Sequence, residues 1–301
     1  MEFVHLAVFA FLCFCLVIVG INASSPAEDY WKSILPNTPI PEAMRYLIQP
    51  DAKITHTADL DMSLVDLPYN DAASTVSIPK EQLKELLNQT NFFFEQDLHP
   101  GKKMTLLFTM GENEATFLPY KDAQSIPFSS DKLPEIFKTF SVEAESMEAE
   151  RLKYTVEVCE KPGIKGEDKY CATSLESLID YTVSKLGKNV QVLTTEIEKE
   201  TKKQQYNIVK GVQKVGDRAV VCHKLNYAYA VFYCHEIEAT TVYTVPLVAA
   251  DETKTKAVAV CHANTDRWNR KHLAFQELQV KPGTVPVCHF LVPNTLIWVP
   301  N

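Results

Sequence analysis

Four Cys-His dipeptides occupy the second half of the sequence: Cys222-His223, Cys234-His235, Cys261-His262 and Cys288-His289, with 10, 25 and 25 residues between them. The 301-residue chain has only eight histidines and eight cysteines, so four adjacent pairs form a pattern rather than an accident of composition. In an extended strand, successive side chains point to opposite faces, so each dipeptide sends its sulfur one way and its ring the other. Four such strands side by side would sort sulfurs and rings onto separate surfaces. The sulfurs would close disulfides among themselves, and the rings of His223, His235, His262 and His289 would be free to converge on a metal ion. Imidazoles without thiolate suit copper, nickel or zinc, and the Irving–Williams order favours Cu(II) in an oxidising setting.

Two other readings use the same residues. A structural zinc site with mixed thiolate and imidazole ligands is built from ligand pairs roughly two to four residues apart, which none of these spacings provides. A disulfide-stapled β domain whose histidines line a polar face needs no metal. Cys159 and Cys171 stand apart around the turn-rich KPGIKGEDKY and read as a local disulfide from a helix end to the next helix start. His99, before Pro100, is a weak fifth ligand candidate, and His56 and His272 have no chemical company. Tyr227, Tyr229 and Tyr233, with Phe232 opposite, read as packing, or as oxidisable groups if they lie beside a metal. The chain has no Gly-rich phosphate loop, nucleophile elbow or HExxH helix, and no residue is assigned a catalytic role.

The elements that would position these groups are helices first and strands after. ESMEAERLKYTVEVC places Leu152, Val156 and Cys159 at helical spacing. Thr173 to Glu176 reads as a capping box, opening a helix with Leu175, Leu178, Ile179, Thr182 and Leu186 on its buried face and Gly187 as its stop. From VQVLTTEI to VPVCHFLV the period becomes two, rich in Val, Thr and aromatics. The expected class is α+β, with an antiparallel-dominated β domain over 91–301 carrying the four pairs. Residues 24–90 hold seven of the 17 prolines, no glycine and no cysteine, and read as a linker with one short helix near Lys80 to Leu87.

Residues 1–23, MEFVHLAVFAFLCFCLVIVGINA, read as a secretory signal peptide cleaved after Ala23. No Lys or Arg cluster follows to stop transfer, so no stable membrane span is expected after cleavage. Cys13 and Cys15 would leave with the signal, and the six remaining cysteines are expected to pair in an oxidising compartment, with connectivity open. Asn88-Gln89-Thr90 is a glycosylation sequon at Asn88. A net charge of −8 argues against a nucleic-acid partner.

The Cys-His spacing, with FFFEQDLHPGKKM near residue 92 and KYCATSLESLIDY at 169–181, resembles the BURP domain of secreted plant proteins. The amino end, MEFVHL followed by EDYWKSILPNTPIPEAM, is similar to the unknown-seed-protein branch, which implies a plant source, a legume by the branch. The resemblance implies that His223, His235, His262 and His289 match the family's metal-binding histidines. Cys222, Cys234, Cys261 and Cys288 match its cysteines, with Cys159 and Cys171 as the upstream pair. It also implies a seed, embryo or dehydration-related protein of the apoplast, cell wall or storage vacuole that binds copper. Some members are instead copper-dependent cyclases that cross-link a Tyr or Trp side chain of a core peptide. No repeated core precedes this domain. Leu67 and Tyr69 in LPY are the best candidate for such a core in the chain itself, Tyr30 and Trp31 a poorer one, and a separate peptide substrate is the remaining option.

Overall fold

The period-two stretches become strands because β-branched and aromatic side chains alternate along them, and their pairing builds two sheets that share one core. The computed structural model describes residues 25–48, 92–108 and 115–301. The signal segment, His56, Leu67, Tyr69, the short helix expected near Lys80 and the sequon at Asn88 lie outside the described residues.

In chain order the elements are α1 (Pro26–Ile34), α2 (Glu42–Leu47), β1 (Phe92–Phe93), β2 (Lys103–Leu106), α3 (Tyr120–Ser125), α4 (Leu133–Phe140), α5 (Met147–Glu160), β3 (Glu167–Ala172) and α6 (Leu175–Leu186). Then come β4 (Val190–Leu193), β5 (Glu196–Ile197), β6 (Gln204–Ile208), β7 (Gln213–Gly216), β8 (Val220–Leu225) and β9 (Val231–Ile237). The last are β10 (Thr240–Ala249), β11 (Lys254–His262), α7 (Leu273–Leu278), β12 (Val287–Phe290) and β13 (Leu296–Pro300). This is the α+β order expected, helices followed by antiparallel strands.

One sheet runs β1-β12-β11-β10-β6-β2, with β5 added on β11 and β7 on β10; the other runs β3-β9-β8-β13-β4. The sheets meet through Val221, Ile297 and Val299 of one and Val242, Val258 and Val260 of the other. The opposite face of the second sheet, with Cys222, Cys234, Phe232 and Trp298, packs against α1, α2 and α6. The opposite face of the first carries Cys261, Cys288, Leu247 and Phe290.

The helix-end signals act locally. Ser146 caps α5 by accepting from Ala149 N–H. For α6 the box sits one residue later than read, because extended Ser174 is the cap and exchanges hydrogen bonds with Ser177. Gly187, at φ 79°, ends α6 in a conformation that side chains resist.

Residues 25–48 are not the extended linker read from the sequence. Ser25 caps α1 and Pro26 opens it, and these signals outweigh the prolines further on. Trp31 is 1% exposed, packs tilted against Trp298 at 5.4 Å, and donates its indole N–H to Thr38 O at 2.8 Å. The Thr38 hydroxyl donates to Val190 O, and the Tyr30 hydroxyl to Asp180. Trp31 is therefore core, which corrects its reading as a site for oxidative coupling. Burial, with the Asp180 bond second, pushes the Tyr30 phenol up and makes its deprotonation harder. Trp31→Ala is expected to cost about 3–5 kcal/mol in denaturant unfolding of the whole chain. An unchanged midpoint would mean that α1 and α2 are an appendage.

Candidate metal centre

β8 and β9 pair so that Cys222 stands directly opposite Cys234, while His223 faces Tyr233 and His235 faces Val221. β11 and β12 repeat the arrangement, with Cys261 opposite Cys288, His262 opposite Val287 and His289 opposite Val260. In each case the cysteines are cross-strand partners and the histidines are diagonal neighbours on the other face. The disulfides follow: Cys222 to Cys234, Cys261 to Cys288, and Cys159 to Cys171 across the return into β3. The pairing left open by the sequence is thus fixed by strand register; the local bridge joins the expected cysteines, but it runs from the end of α5 to strand β3 rather than to the next helix start.

The rings point into the space between the sheets. His223 and His235 are 5% exposed, His262 3% and His289 9%. His223 Nε2 lies 3.3 Å from His235 Nε2, and the rings of His262 and His289 stack at 5.6 Å. Across the sheets the pairs act on one another: His262 is depressed first by burial, then by His289, His235, His272 and His223. Burial, His235 and His289 depress His223 in the same way. His289 is lowered to about 4, chiefly by burial, although a backbone bond at Phe290 works the other way. These three imidazoles are neutral at pH 7, as metal ligation requires.

The donor set fits a transition metal of the copper type on two observations. The 3.3 Å nitrogen separation lies within the span of two imidazole nitrogens each about 2.0–2.1 Å from one ion. His223 Nδ1 is buried with no hydrogen-bond partner, which leaves that ring unspent by the fold. Among the described residues, however, no group of three or more His, Cys, Asp or Glu side chains is set as it stands to hold an ion.

Three neighbours were not singled out by the sequence. Glu167 Oε1 accepts from His235 Nδ1 at 2.8 Å and from the Tyr233 hydroxyl at 3.0 Å. Burial opposes its ionisation, but the His235 bond and charge, the Ile164 N–H and Tyr233 outweigh it, and the carboxyl stays below its ordinary value. Thr240 Oγ1 meets His262 Nδ1 at 2.9 Å. His272, read as solitary, is buried beside Trp268 and Phe92, and its ring is lowered to about 3 by burial and by His289. His272 Nδ1 accepts from Ala274 N–H at the start of α7, which puts its proton on Nε2 and makes it a helix cap rather than a ligand. His99 lies on the surface with its ring on Pro100 O, away from the centre. Tyr227 and Tyr229 pack against α4 and α5, as the packing reading expects, whereas Tyr233 packs there and also lies beside the centre, its ring 5.3 Å from that of His235.

The family model described as the BURP domain matches residues 91–300. The chain belongs to the BURP-domain family. It is 49% identical over 237 residues to BURP domain protein RD22 of Arabidopsis thaliana, covering 76% of this chain and 59% of that one. Against BURP domain-containing protein 3 of Oryza sativa subsp. japonica the identity is 46%, over 54% of that protein's length. The chain thus spans little more than half of these two relatives. Unknown seed protein USP of Vicia faba matches over the whole of this chain at 37% identity, with 97% of its own length covered. The BURP domain here is therefore a pair of sheets, each with a disulfide on its outer side and two histidines on its inner side. Among the described residues no helix is long and apolar enough to cross a membrane.

Proposed function

We propose that this BURP-domain protein is a seed- or stress-type protein of the secretory pathway that binds copper through His223, His235, His262 and His289. The observation that carries the reading is the collection of four buried imidazoles between two sheets, with the sulfurs tied off on the far sides. Bound copper would supply redox and Lewis-acid chemistry there. The chain's own residues exclude water from the rings, depress His223, His262 and His289 below the ordinary histidine value and orient two of the four. Three disulfides and a seed protein matching from end to end support the compartment and the type.

The test is copper binding by the mature protein in competition with a chelator. Wild type should retain about one copper per chain, and His235→Ala with His262→Ala should weaken binding by about 100-fold or more while circular dichroism stays native. Equal retention by the variant overturns the site. A second reading, oxidative cyclisation of a Tyr- or Trp-containing peptide in the chain or in a separate substrate, draws on a groove of about 530 Å³ beside the centre, lined by Glu167, Asp168, Arg218 and Glu236. The same copper-loaded sample separates the two. Loss of about two hydrogen masses from a peptide holding Tyr69 or from a supplied peptide, absent in the histidine variant, favours the cyclase. Unmodified peptides with copper retained favour the holding role.

A further inference from the structure

The four histidines are not equivalent, and the difference lies at Nδ1. Glu167 Oε1 stands 2.8 Å from His235 Nδ1. The carboxylate accepts, so Nδ1 carries a proton and Nε2 is the ring nitrogen left to ligate a metal. On the other sheet His262 Nδ1 lies 2.9 Å from Thr240 Oγ1, and that hydroxyl gives its own hydrogen to Ile237 O at 2.9 Å. Its oxygen is left to accept, so His262 also carries its proton on Nδ1. One ring from each sheet is thus held at Nδ1. His223 differs, because its Nδ1 has no partner and its Nε2 faces His235 Nε2 at 3.3 Å.

We infer that Glu167 and Thr240 are positioning residues of the metal centre: they hold Nδ1 of His235 and His262 and so preset Nε2 as the ligating atom, whereas no such partner meets Nδ1 of His223. This rests on the copper-binding reading above. Partners at the second nitrogen fix ring orientation and raise donor strength, and their loss typically weakens metal binding 10–100-fold. A carboxylate does this more strongly than a hydroxyl, so Glu167 should matter more than Thr240.

The experiment has two readouts. In metal-free protein, long-range proton–nitrogen NMR correlations should show His235 and His262 protonated at Nδ1. In chelator competition, Glu167→Ala should weaken copper binding about 10–100-fold. Glu167→Gln, which keeps an acceptor and loses the charge, should weaken it less. Thr240→Val should weaken binding and mix the His262 tautomers, and Thr240→Ser should restore both. A wild-type proton on Nε2 of His235 or His262 overturns the inference. So does a folded Glu167→Ala protein that binds copper within twofold of wild type. If Glu167→Ala does not fold, the Thr240 pair and the wild-type tautomers decide. A wild type that holds no copper overturns the proposed function, and the tautomers then still decide the positioning role.

Discussion

Acidifying the metal-free protein from pH 7 to pH 5 is expected to remove most of its stability. His223, His262, His289 and His272 all have folded-state affinities for protons depressed below the ordinary histidine value, first by burial. Above about pH 6.5 the rings are neutral in both states and contribute no difference. As pH falls below 6.5 the unfolded chain takes up protons that the fold refuses, so stability falls until the folded values are reached, about 4 for His289 and about 3 for His272. At pH 5 His289 and His272 each account for about 2 kcal/mol, and His223 and His262 add to the loss in the same direction, against a usual total of about 5–15 kcal/mol. Glu167 adds to this only lower down, because its depressed carboxyl stabilises the fold above the ordinary carboxylate value and loses that contribution as pH falls through the folded one. Denaturant midpoints at pH 7, 6 and 5 in the presence of a chelator measure the slope. A flat profile would mean that the rings are wetter or more mobile than their burial implies.

Removal of the cross-strand disulfides should destabilise the domain and leave copper binding in place. Cys222 and Cys234 are 12 residues apart and Cys261 and Cys288 27 apart, so the entropy restored to the unfolded chain is about 3 and 3.5 kcal/mol respectively. For a domain of this size each loss lowers the melting temperature by roughly 6–14 °C. The strands still pair without the bridge, because the ladder and the valines between the sheets remain. Paired Cys→Ala variants should therefore hold copper within a few-fold of wild type at a temperature where they are folded. Loss of copper from a folded double variant would show that staple and ligand are not separate functions of the dipeptide. A larger fall for the pair at 222 and 234 than for the pair at 261 and 288 would show that loop length is not what governs the effect.

Much of the fold could be read locally. The α5 and α6 faces, the Gly187 stop and the strands around the Cys-His pairs follow from periodicity and caps that act over a few residues. The first helix was hidden for a different reason. Ser25, Pro26 and two acidic residues are ordinary start signals, but α1 is short and is held by Trp298, almost 270 residues away, through a contact that no local window contains. Glu167 is similar. It lies in β3, within a stretch that reads from the sequence as a turn-rich return between helices, and only the pairing of β3 with β9 brings it to the same face as His235 and one step along from it. His272 looked solitary because its company comes from Phe92 and Trp268, on other parts of the chain.

By itself the sequence determined that sulfur and imidazole leave each dipeptide in opposite directions, because alternation is a property of any extended chain with L-residues. It also determined the class, since the period changes from helical to two at residue 190, and the family, through the spacing of the four pairs. Tertiary structure decided which cysteine meets which, because strand register rather than proximity in sequence sets cross-strand neighbours. It decided that two sheets face each other with all four rings in the gap, where burial depresses His223, His262 and His289. And it decided what meets Nδ1 of His235 and of His262, because a carboxylate and a hydroxyl are brought there by other strands.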